Sequence, residues 1–470
     1  MSKARSVTTG TRLPRALSPF RHSAYRRLGL ALFFSLIMSG LWMVAMVWEV
    51  IRIDGGARDL SLVTMCAAIG TIVPALAAGV VADRVPQKVI LLGVEAAHVT
   101  LFATAAFLGI TGQTQLWHLA VIAFLGGAAM AFYYPAYSAW LPALVPAEEL
   151  LAVNGFEGML RPSLQQAAGP ALAGVVIGVA SPGAAMALAA LSGLIGLVAL
   201  GTVPLTPVRR EGAEATDAPR EHPIRTMFTD IAEGFRYFLV TPWLLATLLF
   251  ASLMILVMMG PLEVLIPFLI KDRLGGGAGD HALVLAAFGI GGALGSLVMA
   301  SRRLPRRYLT VMILLWGFGS LPFVAMAYAT AVWQIIAAAT VLGALFSAPM
   351  VIWGTLLQRR VPPHLLGRVS SLDFFVSISL MPVSMALAGP VADLIGLRAT
   401  FIAAGVLPAV FAVAAILLAK LPRDELANPL DITEAAADEA GSDDDEASVQ
   451  CAADAHSEAG QECLAGATDS

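Results

Sequence analysis

Ionisable side chains fall inside apolar stretches of this 470-residue sequence, among them Glu49, Glu95, His98, Glu157, Arg161, Glu263 and Asp373. A charge carried into a bilayer costs at least about 2.5–3.5 kcal/mol on insertion scales, so each is a functional candidate by default. The chemistry open to such a set is proton uptake and release, because carboxyl groups respond to burial and neighbouring charge and histidine titrates near neutrality. Glu157 and Arg161 stand four positions apart, on one face of a helix, and can form a structural ion pair or an arginine that modulates a protonatable glutamate. Glu95 and His98 are three positions apart. Glu49-Val50 recurs as Glu263-Val264 after 214 residues. That makes Glu49 and Glu263 the leading proton-coupling pair, expected at comparable depth and facing an aqueous vestibule, with snorkelling to the interface as the alternative.

Aromatic side chains at Trp42, Tyr133, Tyr134, Tyr137 and Trp353 are candidates to line a solute cavity, against the alternative that they pack or face lipid. Eighteen methionines add adaptable apolar contacts. Cys66, Cys451 and Cys463 show neither a metal-ligand spacing nor a disulfide framework, so no metal and no cofactor are expected. No Gly-x-x-x-x-Gly-Lys-Ser/Thr phosphate loop occurs, which argues against an ATP-driven pump.

The elements that must position these residues are membrane helices. Hydrophobic residues make up 58% of the chain and charged residues 13%, with mean hydropathy +0.79; soluble domains carry roughly 25% charged residues, so a soluble enzyme is excluded. Apolar runs long enough to cross a hydrocarbon core of about 30 Å predict twelve helices. They cover about 28–50, 60–81, 89–111, 116–144, 154–180, 184–205, 242–270, 281–300, 309–329, 331–357, 369–394 and 398–419. The N-terminus and the loops after even-numbered helices, with the start of the tail, hold 23 Lys/Arg against five in the opposite loops. The positive-inside rule therefore puts both termini in the cytoplasm of a multi-pass plasma-membrane protein.

The chain divides into five regions. Residues 1–27 are a basic N-terminus, 28–205 a six-helix bundle, 206–241 a linker with an amphipathic helix from about 224, and 242–420 a second six-helix bundle. Residues 421–470 hold 14 Asp/Glu against one Arg, a composition that predicts a disordered acidic tail.

The halves repeat. Asp83-Arg84-Val85-Pro86-Gln87-Lys88 is matched by Arg302-Arg303-Leu304-Pro305-Arg306-Arg307 after 219 positions, and Val145-Pro146 by Val361-Pro362 after 216, a match that continues to Glu157 and Asp373. Gly169-Pro170 corresponds to Gly389-Pro390 at 220. Equal helix number and orientation make this a parallel repeat about an axis along the membrane normal, the plan of two-bundle carriers with a midplane site.

Residues 20–420 resemble the major facilitator superfamily. Gly79-Val-Val-Ala-Asp83-Arg84-Val-Pro-Gln-Lys88 is similar to its signature loop between helices two and three, with Pro86 in place of the final glycine. Gln165-Gln-Ala-Ala-Gly169-Pro170-Ala-Leu-Ala-Gly174 is similar to the helix-five motif of its drug antiporters, with Gln165 and Ala173 where glycine is usual. The resemblance implies an all-α membrane protein of twelve transmembrane helices, in two six-helix bundles related by a pseudo-two-fold axis. It also implies a gate motif at Gly79, Asp83, Arg84 and Lys88, in which Asp83 caps helix eleven. Gly169, Pro170 and Gly174 would form a tight seam between helices. The helix-four arginine of many proton-coupled antiporters in the superfamily is absent, since 116–144 holds no Lys or Arg.

Together these readings predict a secondary transporter, not an enzyme. It would export a lipophilic or amphipathic small molecule such as a drug or siderophore, in exchange for protons, as a monomer in a lipid bilayer and without nucleic acid. A lysophospholipid-type flippase on the same fold is the alternative, and a non-transporting sensor or scaffold a weaker one.

Overall fold

The computed structural model describes residues 19–146, 149–205, 235–302, 304–362, 365, 369, 372–373, 375–377 and 379–430. For a few helical residues, Gly79, Asp83 and Arg84 among them, it describes the backbone alone. The described residues are helices joined by short turns and loops, without strands.

The first half comprises α1 (Ser23–Arg52), α2 (Ala57–Arg84), α3 (Gln87–Thr111), α4 (Leu116–Trp140), α5 (Leu150–Arg161), α6 (Gly169–Val179) and α7 (Pro182–Gly201). After α8 (235–240) come α9 (Pro242–Gly260), α10 (Ile266–Phe268), α11 (Ala278–Ala300), α12 (Tyr308–Gly319), α13 (Pro322–Ala327) and α14 (Val332–Arg360). The described helical residues of 372–379 form α15, followed by α16 (Met381–Ile395), α17 (Leu397–Leu418) and α18 (Leu421–Ala427). Eleven helical stretches among the described residues are long and apolar enough to span a bilayer. The expected fifth span is not one of them: residues 150–179 form a single rod of α5, a π-helical segment Pro162–Ala168 and α6, with Glu157 and Arg161 in its first half and Gln165 and Gln166 at its middle.

The two halves use the same devices at equivalent places. At the start of α2 the Asp59 carboxylate accepts from the Gly56 N–H at 2.8 Å, and at the start of α11 Asp280 accepts from Gly277 at 2.8 Å, each answering one of the unpaired N–H groups of a helix start. Gly70 of α2 lies so close to α4 that a Cβ would fall 2.1 Å from the Phe124 carbonyl oxygen; Gly291 of α11 sits the same way 2.0 Å from that of Thr340 on α14. Only glycine permits such backbone approach, the usual way in which membrane helices gain contact. Reversals between spans use Gly112 and Gly396, at φ 71° and 87°, a region that side chains disfavour.

The cores differ between the two faces of the membrane. Toward the face opposite the described chain ends, which we call the far face, buried apolar residues of both halves form one cluster, from Ala45, Val50, Leu60 and Met186 through to Leu265, Phe323, Ala339 and Phe401. Toward the chain-end face the clusters are separate. Tyr25, Leu91, Tyr137, Trp140 and Leu200 belong to the first half, and Trp243, Met312, Trp353, Leu356 and Leu421 to the second.

Two regional expectations are affected. Most of the linker, residues 206–234, and the tail from 431 lie outside the described residues; of the amphipathic stretch only α8 is described, with Phe238 buried. The tail is not disordered from its start. Leu421–Ala427 is helical and docked, because Glu425, 1% exposed, accepts from the backbone N–H groups of Leu309 and Thr310 at 2.9 and 3.1 Å, capping the N-terminus of α12.

Candidate functional site

Three groups of residues stand where the halves meet or where each half joins its own helices. The first is a polar network in the first half. Glu157 on α5 accepts a short hydrogen bond from the Tyr137 hydroxyl on α4, and its other oxygen lies 3.4 Å from the Arg161 guanidinium. Arg161 stacks 5.4 Å from the Tyr137 ring centroid and hydrogen-bonds Tyr133, whose ring is parallel to that of Tyr137 at 5.6 Å. Tyr133 is also within electrostatic reach of Glu95. Glu95 is buried on α3, takes one hydrogen bond from Ser35 on α1 at 2.5 Å, and leaves its second oxygen without a partner. Spacing in the sequence pairs Glu157 with Arg161 and Glu95 with His98, and leaves the tyrosines as separate cavity candidates. The structure joins Tyr133, Tyr137, Arg161 and Glu157 in one set of contacts, with Glu95 within electrostatic reach of Tyr133, while His98 turns toward α4 and meets the Gly126 carbonyl at 3.2 Å.

The second half holds the counterpart. Trp353 on α14 donates to Asp373 at 3.0 Å, and Ser377 hydrogen-bonds the same carboxylate. Trp353 is therefore part of a helix-to-helix tie at the chain-end side. Trp243 packs edge-on against it at 6.2 Å and carries Arg360 over its face at 4.5 Å.

The second group seals the far face between halves. Arg58 at the start of α2 pairs with Asp393 near the end of α16 at 2.5 Å, and Ser61 accepts from the Gly389 N–H at 2.9 Å. A Cβ at Gly389 would lie 2.6 Å from the Arg58 nitrogen. The antiporter-like motif divides its work: Gly169 and Pro170 press α6 onto Gly40 of α1, whereas Gly174 meets Ala278, Gly279 and Ala282 of α11 across the halves. Arg58, Ser61 and Asp393 carry no signal in the sequence, where they read as ordinary loop and helix-end residues.

The third group is a cavity of about 130 Å³ between the halves, lined by Met43, Gln165, Gln166, Leu262, Glu263, Ile266, Val284, Leu285, Phe288 and Ala339. Glu263 lies in a π-helical segment, Pro261–Leu265, and Gln165 and Gln166 lie in the π-helical segment of the 150–179 rod. Such segments concentrate at functional sites because they turn side chains out of helical register. Among the described residues the Glu263 carboxylate has no hydrogen-bond or ion-pair partner.

Several expected placements change. Glu49 does not share the position of Glu263: it is fully buried three residues from the end of α1 and held by both ends of the Arg52 guanidinium at 2.8 and 2.7 Å. The helix of Glu263 continues ten residues further, to Arg273, through a second π-helical segment from Leu269. Tyr134 is 70% exposed on α4 and does not line the cavity around Glu263. Trp42 stacks on Phe102 of α3 at 4.2 Å instead of lining the cavity. Lys88 ties α3 to the end of α7, donating to the Gly201 and Val203 carbonyls at 2.8 and 2.5 Å, so it links elements of one half. At Gly79, Asp83 and Arg84 only the backbone is described, with α2 helical to Arg84, so the gate contact expected of Asp83 lies outside what is described. Cys66 is a free thiol, and Cys451 and Cys463 lie outside the described residues.

Comparison with known proteins agrees with this architecture. Residues 14–440 match the family model described as transmembrane secretion effector. The chain is 28% identical to the multidrug efflux pump Tap of Mycolicibacterium fortuitum over 402 residues, 83% of this chain and 94% of Tap. It is 23% identical to the macrolide efflux protein A of Streptococcus pyogenes over 79% of this chain and 90% of that protein. It is 24% identical to the enterobactin exporter EntS of Shigella boydii over 78% of this chain and 85% of EntS. Among solved structures, a mutant of the nucleoside transporter NupG superposes with TM-score 0.69 at 13% identity, covering 84% of this chain and 99% of NupG. That likeness is one of fold.

Proposed function

The chain belongs to the transmembrane secretion effector family within the major facilitator superfamily, and from that membership and its geometry we propose that it exports an amphipathic or lipophilic small molecule in exchange for protons. It is a membrane transporter of the efflux type, not an enzyme. The observation that carries the proposed cycle is the division of its core. The halves share one apolar cluster at the far face and have separate ones at the chain-end face. A molecule sealed at one end and divided at the other is arranged to admit solute from the chain-end side. Rocking the halves about the central cavity would then present the solute to the far side. With the chain ends in the cytoplasm, as the charge distribution favours, the direction is outward.

For the proton we assign the first-half network. Glu95 has a free oxygen and a hydroxyl partner, and Tyr133 and Arg161 connect its surroundings to Glu157 and Tyr137. Asp373 and Trp353 make the matching tie in the second half. Residues 150–179 are the twelfth span in this reading, and Asp83 with Arg84 belongs to the chain-end gate, while Lys88 braces the first half beside it. One proton crossing 100 mV yields about 2.3 kcal/mol, enough to drive modest accumulation against a gradient.

The relatives are named for multidrug, macrolide and enterobactin efflux, which supplies a test panel. In inside-out vesicles, an imposed pH gradient should accelerate uptake of a macrolide or enterobactin, and Glu95→Gln should remove the acceleration. Equal wild-type rates with and without the gradient would overturn proton exchange. A flippase reading gains some support from an apolar groove of about 400 Å³ between α2 and α16, lined by Ile69, Ile72, Val73, Pro382, Val383 and Leu387. Movement of a fluorescent lysophospholipid in place of these solutes would favour it.

A further inference from the structure

Glu263 is set up differently from the other intramembrane carboxylates among the described residues. Glu49 has Arg52, Glu157 has Arg161 and Tyr137, Asp373 has Trp353, and Glu95 has Ser35. Glu263 has no partner among the described residues, and none of the residues lining its cavity is basic. The nearby cations on its own helix, Lys271 and Arg273, lie eight and ten residues on, beyond about 12 Å at helical rise, and Arg273 donates to the Ala327 carbonyl at 2.8 Å. A carboxylate held in an apolar wall with no countercharge calls for one from outside the chain.

The rest of the cavity fits that visitor. Gln165 and Gln166 bring amide oxygens able to accept N–H groups. Gln166 is accommodated because Gly289 of α11 has no side chain; a Cβ there would lie 3.0 Å from the Gln166 Cβ. Phe288 offers an aromatic ring, the group that attracts ammonium ions by its quadrupole. Met43, Leu262, Ile266, Val284 and Leu285 supply apolar contact. A volume of about 130 Å³ is close to that of a cavity of about 150 Å³ that takes up benzene, which leaves room for a substituted ammonium head. A bound metal ion would need more hard ligands, and among the described residues no three His, Cys, Asp or Glu come together. A site for a proton alone would need neither the paired amides nor the ring.

We propose that this cavity is the headgroup subsite for a cationic amphiphile, with Glu263 as counter-ion, Phe288 as aromatic wall and Gln165 and Gln166 as acceptors, so that the transporter selects solutes carrying a protonated or quaternary amine on an apolar body. The inference rests on the export reading and names the chemistry of the cargo. It also makes Glu263 a specificity residue and leaves proton exchange to the first-half network.

The test is equilibrium binding of phenyltrimethylammonium to the purified full-length protein in nanodiscs, by calorimetry. Wild type should bind, Glu263→Gln should bind about tenfold more weakly or less, and Phe288→Leu should lose a few-fold. Glu263→Asp, which keeps the charge, should restore most of the affinity. Tert-butylbenzene, the same shape without charge, should not compete. Absence of binding by wild type, equal affinity in Glu263→Gln, or full competition by tert-butylbenzene would overturn the subsite. If Glu263→Gln fails to fold, the aspartate variant and the competition arm still decide. Gradient-driven uptake of a macrolide by wild type, measured in parallel, separates loss of this proposal from loss of the export reading.

Discussion

Trp353 Nε1 donates to the Asp373 carboxylate at 3.0 Å, and 216 residues earlier the Tyr137 hydroxyl donates to Glu157. The same interval relates Arg161 to Ser377, each four positions after its acid and each hydrogen-bonded to it. Donor and acceptor have changed chemistry between the halves, phenol to indole and glutamate to aspartate, while the tie itself is retained. Each fastens the chain-end half of one helix to the next, in the region where the two cores are separate. The ties therefore make each half move as a unit.

Removing one donor should loosen its half. Tyr137→Phe leaves the buried Glu157 oxygen short of a partner and should cost about 1–3 kcal/mol in stability, because a charged acceptor loses a hydrogen bond. In a double-mutant cycle with Glu157→Gln, thermal unfolding in detergent should show coupling of about 0.5–3 kcal/mol. Additive effects would show that the contact contributes nothing of its own.

The far-face seal should resist bulk. Gly389→Leu places a side chain where a Cβ already approaches the Arg58 nitrogen at 2.6 Å, so the halves must part there. Cysteines introduced at 58 and 393 should crosslink readily in the parent and poorly in the Gly389→Leu background. Arg58→Ala alone should change the melting temperature little, since exposed ion pairs contribute about 0–1 kcal/mol.

Gly174 should be intolerant of branching. A Cβ there sits 3.0 Å from the Ala282 Cβ and the Gly279 Cα. Gly174→Val is expected to abolish transport and to let an imposed proton gradient decay faster in vesicles, read with a pH-sensitive dye. Gly178 of α6, where a Cβ would meet nothing within 4 Å, is the control, and Gly178→Ala should behave as wild type.

The clasp formed by α18 gives a stability prediction. Glu425→Ala strips the acceptor from the Leu309 and Thr310 N–H groups and from the Thr310 hydroxyl, which donates at 2.7 Å. The expected loss is about 1–3 kcal/mol, seen as a lower melting temperature. Asp424→Asn should cost less, its partner Arg360 still resting on the Trp243 ring. Truncation after residue 430 should preserve transport, and truncation after 420 should reduce the yield of folded protein.

Part of this was legible in the one-dimensional sequence. Span lengths follow from runs of apolar residues, because a bilayer sets one thickness for all helices. The repeat follows from landmark pairs such as Val145-Pro146 with Val361-Pro362, and it makes Glu157 and Asp373 equivalent without knowledge of any contact. The small-residue character of Gly169, Pro170 and Gly174 is visible too, but not that Gly169 serves one half and Gly174 joins both.

The same repeat misleads at Glu49 and Glu263. Counting along the chain assumes one helical register, and α1 keeps it to Arg52, whereas the helix of Glu263 contains two π-helical segments. Each extra residue in a turn rotates the downstream helix by about 100°, so equal spacing ended in different surroundings, an ion pair for Glu49 and a cavity for Glu263. Periodicity fixes which residues share a helix face. Which faces meet, which donor reaches which acid, and which carboxylate is left without a partner depend on packing between helices far apart in sequence, and only the tertiary structure decided them.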